Sequence, residues 1–432
     1  MKKGLFGFEK TFWTANSVEL FERAAYYGTF IALVVFLTNV VGYSDIEAGW
    51  IGGIFASLIY FLPLFTGTIA DKIGFRVSLI IAFSLLSFGY FGLGFFPSKI
   101  LVLFFLFFIA VGGSFVKPVI TGTVAKSSSE DLRAKAYSLF YMTVNIGSFT
   151  GKSIAKPLRT SLGVDYIPYY SSLLAFIALA IVVLLYFPKK ESNNNERKKI
   201  KDVFWGMLKA FSNIPFLILI IVTGAFWAIQ NQLYATLPKY VIRLVGENAS
   251  PEWYANVNPL IVVFLVVPIT HFAKKIKPIT SISLSFIILT ISSFIMSLSS
   301  LFGSSISLFG YQVHPITLMM VIGIAIQGVA ECFLSPRYLE FASLQAGKGE
   351  EGLYMGYAHL NTTVASILAF VSSGYLLDRY CPDPQKFTNF SPEEFSLLYS
   401  KAHYIWYFYS GLALFAFLIL LLLNKLVFEE KK

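Results

Sequence analysis

One apolar stretch near the amino terminus concentrates charged and aromatic side chains. Steps of three and four residues place Glu19, Glu22, Arg23 and Tyr26 on one face of a helix, and this face continues to Phe30. An arginine between two carboxylates keeps its charge, while one carboxylate can gain or lose a proton at modest cost. Ionisable groups inside a membrane span are costly and are functional candidates by default. The stretch therefore predicts ion coupling, with a plain interfacial ion cluster as the alternative.

A single lysine, Lys117, interrupts the fourth apolar stretch of the chain. An ammonium group this far from either end of a span is costly unless a carboxylate neutralises it. Glu19 and Glu22 are the predicted partners, and such a pair could exchange a proton when substrate binds. The alternative is that the lysine reaches the membrane surface by snorkelling.

Two further apolar stretches carry polar side chains one helical turn apart. Tyr141 and Asn145 share a face of the fifth predicted span, and Glu331 and Ser335 share a face of the tenth. Glu331 is the stronger candidate because an acid within a span has few structural roles. Tyr60, in the second span, is a weaker candidate because most tyrosines of such a protein pack or lie at the interface.

A glycine-containing connection follows the second span. It includes Gly67, Asp71, Gly74 and Arg76. Glycines let helices approach closely, and Asp71 can cap a helix or pair with a basic group. We therefore predict that this connection is a conformational latch, which holds two helices together in one state.

The remaining reactive side chains lack the arrangement of an enzyme or a metal site. The four histidines are His271, His314, His359 and His403. Their spacing does not match that of metal ligands. The two cysteines fall in a predicted span and a predicted loop, so we expect no disulfide. Without a phosphate-binding loop, zinc motif or nucleophile elbow, the sequence predicts neither an enzyme nor a cofactor.

Long apolar helices must hold these side chains. Hydrophobic residues make up 56% of the chain and charged residues only 13%, against about 25% charged in soluble domains. Runs of ~20 apolar residues match a hydrocarbon core of ~30 Å at ~1.5 Å rise per residue. We predict an all-α integral membrane protein with about twelve transmembrane helices.

The predicted loops alternate in charge along the chain. Lysines and arginines cluster before the first span and after the second, fourth, sixth and eighth, while the opposite loops are acidic. The positive-inside rule then places both termini in the cytoplasm, with the protein in the plasma or inner membrane. The formal net charge of +10 is thus a topology signal and a contact for anionic lipids. We do not expect nucleic acid as a partner.

One polar segment, residues 188–202, divides the spans into two groups of similar size. It predicts an amino-terminal bundle of six helices at 1–187 and a carboxy-terminal bundle of six helices at 203–432. Two such halves are typical of secondary transporters.

Five motifs resemble those of proton-dependent oligopeptide transporters, a family within the major facilitator superfamily. Residues 67–76 resemble the loop motif of the superfamily. Residues 19–28 are similar to the family motif ExxERFxYYG, and residues 140–148 to FYxxINxGS. Residues 111–118 and 331–336 resemble the fourth-span lysine motif and the tenth-span acid motif. Each match alone is weak, whereas their order across both halves is specific.

The resemblance implies the major facilitator fold and proton-coupled import of di- and tripeptides by alternating access. It assigns proton coupling to Glu19, Glu22, Arg23 and Lys117. The implied substrate-binding residues are Tyr26, Tyr27, Tyr60, Tyr141, Asn145, Asn231, Glu331 and Ser335. Glu331 would face the amino terminus of a peptide. The expected partners are protons, a short peptide and the lipid bilayer, and the expected state is a monomer.

Three positions depart from the family pattern. Ala24 stands where the motif has phenylalanine, Phe30 where members often have a second basic residue, and Asn231 where they often have an acid. The two missing charges indicate a lost gating pair and leave the cargo open. The alternatives are another small solute, such as an amino-acid derivative or nitrate, and a membrane receptor that does not transport.

Overall fold

The computed structural model describes residues 7–128, 130–188, 212, 214–344, 357–358, 360–387, 390–391, 394 and 397–423. The predicted linker beyond Pro188, up to residue 202, and His359 lie outside these residues.

Helices dominate the described chain. The helices of the first half are α1 (Lys10–Asn39), α2 (Asp45–Phe61), α3 (Pro63–Ile73), α4 (Phe75–Phe95), α5 (Lys99–Lys126), α6 (Glu130–Ser161) and α7 (Ile167–Leu185). Those of the second half are α8 (Ile214–Gln230), α9 (Gln232–Ala235), α10 (Leu237–Val245), α11 (Pro251–Tyr254), α12 (Val257–Ala273), α13 (Pro278–Ser297), α14 (Pro315–Leu344), α15 (Leu360–Tyr380) and α16 (Tyr404–Leu423). A hairpin of β1 (Ile306–Leu308) and β2 (Tyr311–Val313) connects α13 to α14.

Most of these helices could cross a membrane. Ten stretches of helix in the described chain are long and apolar enough, and the pair α2 and α3, bent by 45°, makes eleven. The bend lies at Pro63, whose ring cannot continue the α2 hydrogen-bond ladder and which suits the first turn of a new helix. The predicted all-α membrane class is confirmed.

Helix α6 has the length of a span but not its composition. It contains 32 residues, which corresponds to roughly 48 Å at the rise of an α-helix. Its basic residues are Arg133, Lys135, Lys152, Lys156 and Arg159. They explain why α6, the counterpart of the fifth predicted span, is too polar to rank with the apolar spans.

The chain forms two compact units. The first unit comprises Met1–Gly42 and Phe55–Trp205, and the second comprises Tyr43–Ile54 and Gly206–Lys432. In the first unit, α1 packs against α6 and α7, and α4 packs against α5 and α7. In the second unit, α14 packs against α12 and α13, α16 packs against α13, and α8 packs against α15.

The start of α2 belongs to the second unit, which the predicted halves at 1–187 and 203–432 do not anticipate. Its small residues explain the placement. A Cβ atom on Gly49 would lie 2.5 Å from the carbonyl oxygen of Phe370, and one on Gly53 would lie 3.2 Å from the Cα of Ile367. Only glycine lets the backbones of α2 and α15 come this close.

Candidate functional site

A glycine seam brings α6 against α1 in the first unit. A Cβ atom on Gly147 would lie 2.7 Å from the carbonyl oxygen of Leu20, and one on Gly151 would overlap the carbonyl oxygen of Ala24. Backbone-to-backbone contact of this kind needs small residues. The seam therefore fixes the charged face of α1 beside the polar face of α6.

We expect Gly151→Ala to destabilise the protein by about 1–3 kcal/mol, because the added methyl group has to push the two helices apart. The matched control is Gly113→Ala in α5, where a Cβ atom would meet nothing within 4 Å. That substitution should be neutral or stabilising by up to ~1 kcal/mol, since alanine favours a helix. Thermal unfolding of the purified protein measures both, and equal melting temperatures would contradict the seam.

The two acidic residues of α1 are buried and share one arginine. Glu19 is 2% exposed and Glu22 is 3% exposed. The Arg23 Nε lies 3.3 Å from Glu19 Oε1 and donates a hydrogen bond to Glu22 Oε2. Glu19 Oε2 is buried and accepts no hydrogen bond from the residues that the structure describes. The cluster thus offers an acceptor atom on which a proton could reside.

Aromatic rings cover the other side of the arginine. The Arg23 Cζ lies 5.3 Å from the ring centre of Tyr26 and 5.9 Å from that of Tyr27. Tyr26 stacks on Phe30 with ring centres 5.0 Å apart. Phe30, which departs from the family pattern, therefore stacks on the tyrosine that covers the arginine, where cation–π attraction is favourable.

Lys117 lies on an exposed side of α5, within electrostatic range of Glu19, Glu22 and Arg23. The ion pairs of both carboxylates in the described chain are made by Arg23. In this conformation Lys117 therefore acts on the carboxylates through space and not by direct contact. Its role in proton coupling stays a prediction.

In the first unit, Tyr60 lies near the end of α2, and Tyr141 and Asn145 lie on α6. Tyr60 is half-buried and interacts electrostatically with Tyr27 and Arg23. Tyr141 is 47% exposed. The amide of Asn145 donates to the carbonyl oxygen of Tyr141 over 2.8 Å, one turn back along α6. Tyr141 and Asn145 thus share one face of α6, as the sequence predicts, and the contact of this face with substrate stays a prediction.

The predicted latch residues surround the short α3–α4 connection. A Cβ atom on Gly67 would lie 3.5 Å from Pro118 of α5. Gly74 has φ +92°, a conformation that favours glycine and lets the chain turn from α3 into α4. The Arg76 Nη2 donates to the carbonyl oxygen of Val183 over 2.8 Å. Asp71 is exposed. Arg76 thus ties the start of α4 to the end of α7, while the latching role stays a prediction.

Glu331 of the second unit is held by two amides that sequence reasoning missed. Gln230 Nε2 donates to Glu331 Oε2 over 2.8 Å, and Asn258 Nδ2 donates to the same oxygen over 3.3 Å. One turn along α14, the Oγ of Ser335 is buried without a hydrogen-bond partner among the described residues. The two amides therefore fix the orientation of the Glu331 carboxylate. Polar amides inside the apolar runs of α8 and α12 were the available signal.

Asn231 lies at a break in the seventh predicted span. Helix α8 ends at Gln230, and Asn231 precedes the short helix α9. The break is supported from α15, because Thr236 Oγ1 bonds with Ser373 Oγ over 2.7 Å and Gln232 Nε2 donates to the carbonyl oxygen of Ala369 over 3.3 Å. Broken membrane helices commonly lie at binding sites, which is consistent with a role for Asn231.

A second ion cluster, also missed, lies within the second unit. The carboxylate of Asp45 accepts from Lys239 Nζ over 2.8 Å and from both terminal nitrogens of Arg243 over 2.9 and 3.0 Å. Arg243 Nη1 also donates to the carbonyl oxygen of Cys381 over 2.6 Å. Asp383 lies 3.6 Å from Arg243. The four-residue step from Lys239 to Arg243 was the signal in the sequence, whereas Asp45 reads there as an ordinary loop charge.

Curated relatives match part of this chain in sequence. A dipeptide and tripeptide permease B of Yersinia enterocolitica is 34% identical over 172 residues, which cover 39% of this chain and 34% of that protein. A peptide transporter family 1 protein of Drosophila melanogaster is 32% identical over 158 residues, or 34% of this chain and 21% of that protein. The chain thus matches about a third or less of the length of these curated relatives. Their names confirm the resemblance drawn from the motifs.

Solved structures share the fold over nearly the whole chain. A crystal structure of a peptide transporter in complex with sulfate has a TM-score of 0.75 at 19% identity and covers 98% of this chain and 96% of its own. A transporter structure in complex with 5-aminolevulinic acid has a TM-score of 0.75 at 18% identity and covers 98% of each chain. The predicted major facilitator fold is therefore confirmed.

The family model described as the Major Facilitator Superfamily matches residues 18–311. This match spans more than half of the sequence, including the α1 ion cluster and the glycine seam. The chain belongs to the Major Facilitator Superfamily.

Proposed function

We propose that this protein is a proton-coupled symporter that imports di- and tripeptides by alternating access. The observation that carries the coupling is the buried cluster of Glu19, Glu22 and Arg23 on α1. The peptide cargo is supported by the names of the relatives that the chain resembles. Ionisable groups inside a span mark proton and substrate pathways more often than structural contacts.

In the proposed cycle, a carboxylate of the α1 cluster takes a proton from outside. Protonation removes one of the negative charges that attract Arg23 and Lys117. The interaction of that carboxyl group with the two cations then weakens, and their side chains can interact elsewhere. Substrate then binds, and the loaded protein exposes its site to the cytoplasm. Each positive charge that enters with the cargo contributes ~2.3 kcal/mol per 100 mV of membrane potential.

The acid of α14 would bind the amino terminus of the peptide. Glu331 is oriented by Gln230 and Asn258, so its carboxylate is in place before an ammonium group arrives. Ser335, one turn further, would offer its hydroxyl to the same end of the peptide. Preorganised polar groups lower the cost of ordering a site on binding.

We further propose that the protein is a monomer of the plasma or inner membrane, with both termini in the cytoplasm. The support for this orientation is the clustering of lysine and arginine in alternate loops of a multi-pass membrane protein. A cysteine-reactive probe on an introduced terminal cysteine, applied to intact cells and then to opened cells, tests the orientation.

Reconstituted protein tests the function. Vesicles should accumulate labelled dialanine when an inward proton gradient is imposed, and should not when the gradient is collapsed. Failure of every member of a dipeptide panel to enter or to compete would refute the peptide cargo. Nitrate and 5-aminolevulinic acid belong in the same panel because they represent the alternative small solutes. Substrate-dependent proton flux excludes a receptor that does not transport.

We expect Glu331→Gln to weaken binding of peptides with a free amino terminus by about ten-fold or more, because a charge-assisted hydrogen bond contributes ~1.5–3 kcal/mol. Binding of amino-acetylated peptides should change little. The control is Glu247→Gln, at an exposed acid after α10. Competition against labelled dialanine measures both, and an equal effect on free and acetylated peptides would place Glu331 away from the peptide amino terminus.

A further inference from the structure

The polar face of α6 continues beyond the residues that the motifs identify. Counting along the helix, Tyr141, Asn145 and Lys152 fall within about 40° of one another, since eleven residues make just over three full turns. Lys156 and Arg159 follow Lys152 by four and seven residues, so they extend the same face. We name the basic part of this face, Lys152, Lys156 and Arg159, the cationic track.

The track is largely buried. Lys152 is 1% exposed and is among the largest fully buried side chains of the protein, and Arg159 is 8% exposed. Lys156 is half-buried. Three basic residues on one face of a span are unusual, because charged side chains inside a membrane are costly. They also explain why α6 is more polar than the other long helices in the described part of the chain.

The inner end of the track meets the α1 site at Tyr27. The Nζ of Lys152 lies 5.6 Å from the ring centre of Tyr27. The Cζ of Arg23 lies 5.9 Å from the same ring centre. One tyrosine, predicted to contact substrate, thus stands between the arginine of the coupling cluster and the first cation of the track. The glycine seam at Gly147 and Gly151 fixes this arrangement, since Lys152 is the next residue along α6.

We propose that the cationic track binds a carboxylate of the cargo, with Lys152 as the specificity-determining residue, so that the transporter prefers peptides with an acidic side chain. The inference rests on the proposed peptide transport. A carboxylate is the group that fits, because lysine and arginine bind carboxylates through charge-assisted hydrogen bonds. Cations spaced along one helix face also attract an anion towards the site before it binds.

Alanyl-glutamate and alanyl-glutamine provide the test, because they have nearly the same shape and differ by one charge. We expect the native protein to bind alanyl-glutamate about ten-fold more tightly or better, as one charge-assisted contact would give. Lys152→Gln should bring the two affinities close to one another, and Lys152→Arg should keep most of the preference. Binding is read from ligand-induced thermal stabilisation and from competition with labelled dialanine.

Two further variants separate recognition from folding. Lys126→Gln is the matched control, because the Nζ of Lys126 also lies over an aromatic ring, that of Phe75 at 4.1 Å, but at the end of α5. It should leave the preference unchanged. Lys156→Gln removes a half-buried cation of the track and should reduce the preference even if Lys152→Gln does not fold.

Succinate and succinamide form a second pair outside the peptide class. If no peptide binds but succinate stabilises the native protein more than succinamide, and Lys152→Gln removes the difference, the peptide cargo is wrong and the cationic track stands. If peptides bind without preference for the acidic member, the track is wrong and peptide transport stands. Equal binding within both pairs, or a preference that survives both Lys152→Gln and Lys156→Gln, overturns the inference.

Discussion

Replacing Glu22 with glutamine is expected to abolish uptake driven by a proton gradient while exchange of labelled for unlabelled peptide continues. Glutamine keeps the shape and the oxygen that accepts from Arg23 Nε, so the helix contact survives. It cannot release or take up a proton, however. Glu22 is buried and paired, which makes its charge state matter for the position of Arg23.

The size of this effect follows from the driving force. One coupled charge at 100 mV contributes ~2.3 kcal/mol, which corresponds to roughly fifty-fold accumulation of substrate. In the variant the accumulation ratio should fall to about one, because carrier-mediated exchange without coupling only equalises concentrations. Initial rates of counterflow should stay within a small factor of the native protein. Both quantities come from the same vesicles, loaded or unloaded with peptide.

Two further variants show which carboxylate carries the proton. Glu19→Gln addresses the carboxylate whose Oε2 is buried and accepts no hydrogen bond in the described part of the chain. Glu47→Gln is the control, because Glu47 is an exposed acid whose oxygen accepts from the backbone of Ser44, a role that glutamine can fill. Gradient-driven accumulation that persists in Glu22→Gln but disappears in Glu19→Gln would assign the proton to Glu19. Persistence in both would remove the α1 cluster from coupling.

The features that sequence reasoning predicted are those set by local spacing. The contact of Arg23 with Glu19 follows from the step of four residues along a single helix. The Tyr141–Asn145 pair on α6 follows in the same way. Apolar run length located the spans because the thickness of the hydrocarbon core sets their length.

Contacts between distant parts of the chain could not be predicted. Gln230 and Glu331 are 101 residues apart, and Asp45 and Arg243 are 198 residues apart. Their pairing depends on which helices become neighbours, which one sequence does not reveal. Lys152 was missed for another reason. Span prediction averages hydrophobicity over a whole window, so one lysine in α6 only lowers that average. The proposed role of Lys152 depends instead on its neighbour in space, Tyr27.

Breaking the second ion cluster should produce the largest change in stability. We expect Asp45→Asn to lower the free energy of unfolding by about 3–5 kcal/mol, because it leaves two buried cations without their shared carboxylate. Lys239 is 4% exposed, and the side chain of Arg243 is 5% exposed. Asp383, at 3.6 Å from Arg243, can replace only part of the lost attraction.

The reactivity of Cys381 reports whether this ion cluster is intact. Cys381 is fully buried, and burial raises the pKa of its thiol to about 12, so it should resist maleimide in the native protein. Arg243 anchors this segment through the carbonyl oxygen of Cys381. In a Cys332→Ser background, Asp45→Asn should therefore increase the labelling rate of Cys381 at neutral pH. The rate follows the population of the opened state when opening is fast relative to labelling.

An exposed ion pair nearby provides the matched control. Asp378 Oδ1 accepts from Lys386 over 2.7 Å, and the two side chains are 38% and 44% exposed. Asp378→Asn should change the free energy of unfolding by about 0–1 kcal/mol and leave Cys381 protected, because solvent screens such a pair. If Asp45→Asn and Asp378→Asn behave alike, the buried cluster does not hold the start of α2 against α10. If only Asp45→Asn destabilises the protein and exposes Cys381, a carboxylate that sequence reasoning places in a loop is the residue that fixes α2 to the second unit.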